Sequence, residues 1–312
     1  MKFKRFTHYL LEHRPQAVLL TFLFTFIPVA GVLGILYAAL VTLRKGVAEG
    51  AVMTTAATLP YVVTFLLASH DSNALPIVLW TTVGVAVTSN LLTWIFAVML
   101  YRQMAWSGIL QVAALIGVLA ISIIHLADPN IADWWSAQLT SYYTQAATVV
   151  SDVLQQNGAP VPSEAQLDTI KITKFYATGM SAAIVLLNAI LQLMVARWWQ
   201  SVLFMPGILR KELHNIRLSQ LAGVLFILSL VFAYIGNSAV LDMMPVVYLL
   251  FTGAGLSVIH YFFALMVSPT RWFWIAVLYV TLIIAMPTSM IVIAMVALLD
   301  IWLDLRRKLR KI

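Results

Sequence analysis

Uncharged apolar runs, separated by short polar stretches, occupy most of this chain. Eight blocks fit that description: residues 17–43, 51–69, 75–100, 106–126, 175–196, 218–235, 244–267 and 272–299. A helix needs about 20 apolar residues to cross a hydrocarbon core about 30 Å thick, so most blocks are one span long. The blocks at the two ends are longer, and as one helix the first would rise ~40 Å. Each carries a proline near its middle, Pro28 and Pro287. Proline inside a helix removes a backbone hydrogen bond and kinks or breaks it, so each end block is either one tilted helix or two short ones. The pattern predicts an all-α polytopic transmembrane bundle forming a single integral membrane domain over residues 1–312.

Charge placement discriminates between these alternatives, because cytoplasmic loops collect Lys and Arg. If both end blocks return to the side they left, every basic residue except Lys171 and Lys174 falls on the N-terminal side, 17 of the 19. The other side then holds Asp71, Asp128, Asp133, Asp152, Glu164, Asp168 and Asp242. If both blocks cross once, the 19 divide 10 against 9. The expectation is therefore up to ten short or full spans, both termini cytoplasmic, in a bacterial inner membrane. A cleavable signal is the rival reading of the first block, but Pro28, three places before Gly31, makes a poor cleavage site.

Composition agrees with lipid as the solvent. Hydrophobic residues make up 62% and charged residues 10%, against about 45–50% and about 25% in ordinary globular chains. So few charges cannot clothe a water-exposed surface. The absence of cysteine removes disulfides, thiolate metal sites and cysteine nucleophiles. The net charge of +7 is accounted for by a one-sided basic layer, without nucleic acid.

Three polar regions have content. Residues 127–174 form the long external connection, in which Trp135, Leu139, Tyr142, Ala146, Val149 and Val153 make one stripe of an amphipathic helix. That helix is either an aromatic lid over a cavity mouth or an interfacial helix packing on neighbouring spans. Asn157-Gly158-Ala159-Pro160 stops it, and Ser163 with Gln166 has capping-box spacing for a second helix. Residues 197–217 form the main cytoplasmic loop. Trp198 and Trp199 beside Arg197 suit the headgroup belt, Pro206-Gly207 is turn chemistry, and Arg210, Lys211 and Arg217 could touch anionic lipid or dock a partner. Residues 300–312 form a basic tail in which Asp304 can pair with Arg307 or Lys308 along one helix. Asp300, one turn deeper, is read first as a solvated helix end. With Arg306, Asp300 and Asp304 complete the candidate partner or lipid surface.

Polar side chains within spans are few and therefore candidates for an internal site. His260 is the clearest, with Ser257 one turn before it. Asn90, Asn188, Gln192 and Asn237 follow, although amides in spans commonly join helices. No ATP-binding loop, His-Glu-x-x-His or Gly-x-Ser-x-Gly occurs. His125 near Asp128 does not make a metal site. No enzyme activity, metal or cofactor is expected.

Three stretches carry a family resemblance: Leu43-Arg44-Lys45-Gly46-Val47-Ala48-Glu49-Gly50 after the opening hairpin; Ala196-Arg197-Trp198-Trp199-Gln200 through Pro206-Gly207, Glu212 and Arg217-Leu218; and Asp300-Ile301-Trp302-Leu303-Asp304-Leu305-Arg306. On these residues the chain resembles the YybS-like bacterial membrane proteins, a family of unknown function related to the substrate-capturing subunits of energy-coupling-factor vitamin transporters. Ile208 and Leu209 stand where that family has a further glycine and an aromatic residue. The resemblance implies a first block made of two short spans, a membrane-embedded pocket near the outer face, and a shared ATPase module as the energy source. The better-known relatives have six spans, so none of their binding residues is carried over.

Two functions follow. One is transport, or substrate binding by a membrane subunit, for a small, partly apolar solute or lipid-like molecule. Its site would use His260, Ser257, Asn90, Asn188 and Gln192, and its energy would come from an ATPase partner or an ion gradient. The other is a non-catalytic scaffold that recruits a partner through the basic loop and tail.

Overall fold

The computed structural model describes residues 2–27, 30–68, 76–154, 164–266 and 270–309, and every regular element among them is a helix. At the N-terminus, α1 (Lys2–Glu12) is amphipathic, burying Thr7, Leu10 and Leu11 while leaving Lys4 and Arg5 exposed. The first hydrophobic block then forms a hairpin of two short helices, α2 (Arg14–Thr25) and α3 (Gly31–Lys45). Its two ends lie together: Arg14 Nε is 3.2 Å from Glu49 Oε2 at the start of α4 (Val47–Ala68), and Lys45 Nζ donates to the Leu11 carbonyl. At the other end of the hairpin, Thr25 Oγ1 donates to the Ala57 carbonyl at 3.4 Å. Ala57 is ten residues into α4, a rise of ~15 Å, so the hairpin turns at about half the thickness of a hydrocarbon core.

Although short, α3 is the most enclosed helix of this half: Ile35 through Leu43 are all buried. It packs against α2, α4, α5 (Pro76–Tyr101) and α9 (Ala177–Phe204). A glycine permits the tightest of these contacts, since a Cβ on Gly50 would lie 1.9 Å from Thr42 Oγ1.

After α5, α6 (Trp106–Ala127) runs to the opposite end, where α7 (Ile131–Leu154) and α8 (Glu164–Thr173) pack on each other. Following α9 come α10 (Ile208–Leu213), α11 (Gln220–Tyr234) and α12 (Ser238–Leu265). The last hydrophobic block divides at Ala285 into α13 (Arg271–Ile284) and α14 (Met286–Leu303), and α15 (Leu305–Leu309) closes the described chain. Pro287 lies in the first turn of α14, where its missing N–H has no intrahelical partner to lose, so it starts a helix instead of kinking one. Thr252 Oγ1 donates to the Met290 carbonyl at 3.2 Å and Gly255 faces the Ile293 carbonyl, so α12 and α14 run parallel. Running back along α12, α13 brings Tyr279 beside His260. This block, too, ends where it began.

Among the described residues six helices, α4, α5, α6, α9, α12 and α14, are long and apolar enough to cross a membrane. The shorter apolar helices α11 and α13 expose Leu221, Leu225, Phe232, Trp272, Phe273 and Ile283 outward, as a lipid-solvated surface allows. The chain is an all-helical, multi-pass membrane protein.

Several boundaries differ from the sequence expectation. The connection at 197–217 is shorter, because α9 continues through Arg197-Trp198-Trp199 as far as Phe204 before Pro206 and Gly207 end it. Gly207 takes the left-handed conformation, φ 83°, that its lack of a Cβ permits. Helix α12 begins six residues before its hydrophobic block, because the Asn237 side chain accepts from the Val240 N–H at 3.0 Å and caps it. Asp242 is therefore a buried helix residue and not a loop acid. On α7 the predicted stripe is not buried as one face: Trp135 and Leu139 are half-buried, while Tyr142 and Ala146 are exposed. Pro28, Asp71, the 157–160 stop, Ser163, Arg310 and Lys311 lie outside the described residues.

Candidate functional site

Polar side chains gather at three levels of the bundle. At the end carrying α1 and α10, Arg197 grips Glu212: its Nε donates to Oε2 at 3.1 Å and NH2 donates to Oε1. Trp106 Nε1 donates to the same carboxylate at 3.0 Å. Arg197 also donates to Gln200 Oε1, and Gln200 Nε2 donates to the Leu43 carbonyl at 3.2 Å. One guanidinium thus ties α9 to α10 and α6 and, through Gln200, closes the C-terminus of α3. Its side chain is only 12% exposed. Of the paired tryptophans, Trp198 is exposed and Trp199 packs half-buried towards Tyr37, so only Trp198 fits the headgroup belt.

A second cluster holds the tail. Helix α14 ends at Leu303, Asp304 is left-handed at φ 48°, and the reversal brings Arg306 back to Asp300. Arg306 Nε lies 3.3 Å from Asp300 Oδ2, a charge contact without hydrogen-bond alignment, and Asp300 Oδ1 accepts no hydrogen bond among the described residues. Asp300 is 2% exposed, which overturns the solvated helix end. It stays buried because the guanidinium supplies the neutralising charge. Arg306 also donates to the carbonyls of His214 (2.6 Å) and Ile216 (2.5 Å). Arg217 donates to the carbonyls of Asp300 and Ile301 and approaches Asp304 Oδ1 at 3.3 Å. The expected pairing of Asp304 with Arg307 or Lys308 is replaced by this one. Burial pulls the Arg306 guanidinium below its usual range, with Asp300 opposing the shift. Burial, and then the charges of Arg210, His260 and Arg306, lower the His214 imidazole.

At mid-bundle, α5 and α9 share an amide ladder. Thr93 Oγ1 lies 2.6 Å from Gln192 Oε1, Gln192 Nε2 donates to Asn188 Oδ1 at 3.3 Å, and Asn188 Nδ2 donates to Ser89 Oγ at 3.0 Å. Spacing of four residues on both helices produces the ladder. Asn90 faces another interface and donates to Thr58 Oγ1 on α4 at 3.2 Å. His260 Nε2 is 3.0 Å from the Tyr279 hydroxyl, whereas Ser257 Oγ donates to the Leu213 carbonyl. The five residues expected to line one solute site are therefore distributed over four interfaces, and each has a hydrogen-bond partner there.

Sequence reasoning missed the site at the far end. Asp242 Oδ1 accepts the Gly179 N–H at 2.7 Å, and Asp242 Oδ2 lies 2.9 Å from His125 Nε2. The Asp242 side chain is 3% exposed and that of His125 12%. Gly179 sits in the first turn of α9, where N–H groups lack intrahelical acceptors and the helix dipole favours an anion. A carboxylate on α12 therefore caps α9 while pairing with α6. Trp135 Nε1 donates to Thr178 Oγ1 at 2.8 Å, and Lys174 pairs with Asp133 at 3.0 Å, which attach α7 to the same turn. His125 and Asp242 are 117 residues apart, and no local pattern links them.

Among the described residues no group of three or more His, Asp or Glu is placed to hold a metal. Comparison of the chain with family models, curated proteins and solved structures finds no match.

Proposed function

We propose that this chain is a transport protein, or the substrate-binding membrane subunit of one, in a bacterial cytoplasmic membrane. It takes a small, partly apolar solute or a lipid-like molecule. The observation that carries the reading is the α2–α3 hairpin, whose turn lies level with Ala57 and beside Tyr61, where a Cβ on Gly31 would stand 3.1 Å from the Tyr61 hydroxyl. Helices broken at membrane depth free backbone groups to meet a ligand, and discontinuous helices of this kind carry the sites of many transporters. Thr25, Gly31 and Tyr61, the described residues beside that break, are therefore added to the polar residues of the spans as the proposed place for the solute. The basic end, with both termini, faces the cytoplasm by the positive-inside rule. The two hairpins supply four of ten short or full membrane helices. Membership of the YybS-like family, with an ATPase module as the energy source, belongs to the same proposal.

The scaffold reading draws support from Arg210, Lys211, Arg307 and Lys308, which are exposed on that end and enter no ion pair among the described residues. Mass spectrometry of small molecules retained by the purified protein tests transport: one solute recurring across preparations is expected, and repeated recovery of bulk lipid alone overturns it. Affinity capture that returns a soluble partner with no ATPase would favour the scaffold. Labelling of tags at both termini in intact cells should fail, and success at either end refutes the sidedness.

A further inference from the structure

One face of α5 near its C-terminus is only partly covered by other helices, and its Trp94, Ile95, Val98 and Met99 are half-buried. Trp94, Val98 and Arg102 follow one another at four-residue steps with Ile95 and Met99 alongside, a single stripe along ~12 Å of helix. With Met104 they line an open cleft of about 240 Å3. The far wall is built by the chain reversal that ends α5. The Met104 N–H donates to the Met99 carbonyl and the Gln103 N–H to the Leu100 carbonyl, both at 3.0 Å, which is a Schellman closure. Gln103 occupies its left-handed position at φ 66°, where glycine is usual. The closure folds Met104 back beside Met99, and Trp94 is fixed on the opposite side by its Nε1 donation to the Val47 carbonyl at 3.4 Å.

The cleft is apolar along its length and cationic at its mouth. Arg102 is exposed, and its side chain makes no ion pair or hydrogen bond among the described residues. No carboxylate lines the cleft. Arg44, which lies over the Phe204 ring, and Lys45, which donates to the Leu11 carbonyl, are in the turn next to this end of α5, because Gly46 abuts the Tyr101 hydroxyl, and the acids of the neighbouring elements, Glu49 and Glu212, are already paired with Arg14 and Arg197. Sites for drug-sized solutes are clefts or cavities of about 300–1,000 Å3, so this smaller cleft is below the size for one. An extended hydrocarbon chain with an anion at one end matches both its shape and its charge.

We propose that this cleft holds one acyl chain of an anionic phospholipid whose phosphate pairs with Arg102. Trp94 and Met104 flank the chain, and the surrounding cations select a net negative headgroup over a zwitterionic one. The site is independent of any transported solute.

Native mass spectrometry of the full chain released from phosphatidylglycerol-containing detergent micelles provides the test, with phosphatidylcholine as comparison. The wild type should retain phosphatidylglycerol preferentially. Arg102→Gln should reduce that retention about fivefold, the contribution of one basic side chain at an anionic membrane surface, whereas Arg307→Gln, elsewhere in the basic layer, should not. Met104→Glu, an exposed substitution that places a carboxylate at the mouth, should also abolish the preference. Excess glycerol phosphate should fail to displace the lipid. Equal losses in Arg102→Gln and Arg307→Gln, no effect of Met104→Glu, or displacement by glycerol phosphate would each overturn the proposal.

Discussion

Substituting Gly179 by alanine tests whether Asp242 holds α6, α9 and α12 together. A Cβ at residue 179 would lie 1.6 Å from the Asp242 carbonyl oxygen, which is backbone and cannot rotate away. To restore a tolerable 3.0 Å, α9 and α12 must part by ~1.4 Å. The same movement stretches the Gly179 N–H···Asp242 bond from 2.7 Å to ~4 Å, beyond hydrogen-bonding range. A hydrogen bond to a charged group contributes about 1.5–3 kcal/mol, and overpacking adds about 1–3 kcal/mol, so the expected loss is ~2.5–6 kcal/mol. Gly84 is the control, because nothing lies within 4 Å of its Cβ position. There alanine should be neutral or stabilising by about 0.5–1 kcal/mol through helix propensity. Denaturant unfolding of both variants in one detergent reads the difference. If Gly179→Ala and Gly84→Ala unfold within about 1 kcal/mol of each other, the packing of α9 on α12 at this turn has been misjudged.

Arg197→Met strands a carboxylate that is 22% exposed, and unfolding should show a cost of ~2–3 kcal/mol, below the 3–5 kcal/mol of fully buried pairs. A double-mutant cycle with Glu212→Gln should return most of that as coupling, and strict additivity would mean that the pair is not formed. Gln192→Leu should cost only ~1 kcal/mol by the same assay, because the single Thr93 hydroxyl hydrogen can go to the Ser89 carbonyl, 2.7 Å away, instead; a loss several times larger would show the amide ladder to be more than glue. Since His214 titrates below its usual range when folded, the unfolded chain takes up the proton first as pH falls. Its stabilising contribution is complete above about pH 6.5 and is lost as the medium acidifies below that value. Thermal unfolding between pH 7 and 5 should accordingly be less pH-dependent in His214→Asn, and an unchanged slope would remove His214 from the account.

What could be read from residues alone follows the range of the interactions. Uninterrupted apolar runs locate helices because a span must satisfy its backbone within itself, and Pro287 marked a helix boundary through its missing N–H. Asp300 was misread because its partner, Arg306, reaches it only after the left-handed step at Asp304, whereas helical spacing directs attention to Arg307 and Lys308. The amides Asn188 and Gln192 look the same in sequence whether they face a solute or a neighbouring helix; that Ser89 and Thr93 stand opposite them is seen only in the fold. The amphipathic pattern of α1 was present as Leu10 and Leu11 against Lys4 and Arg5, but a span-length window passes over an 11-residue helix. Nothing local connects His125 with Asp242.

The enclosure of α3 also bears on how the protein is made. Four helices surround it, and one of them, α9, ends 159 residues after Lys45. At synthesis rates of about 5–20 residues per second, roughly 10–30 s pass between completion of α3 and arrival of the helix that supplies Gln200 to the Leu43 carbonyl. Of the four helices that pack on α3, only α2, α4 and α5 precede α9 in the chain. The most enclosed helix of the fold is thus among the first made, and the contacts that complete its enclosure are among the later ones.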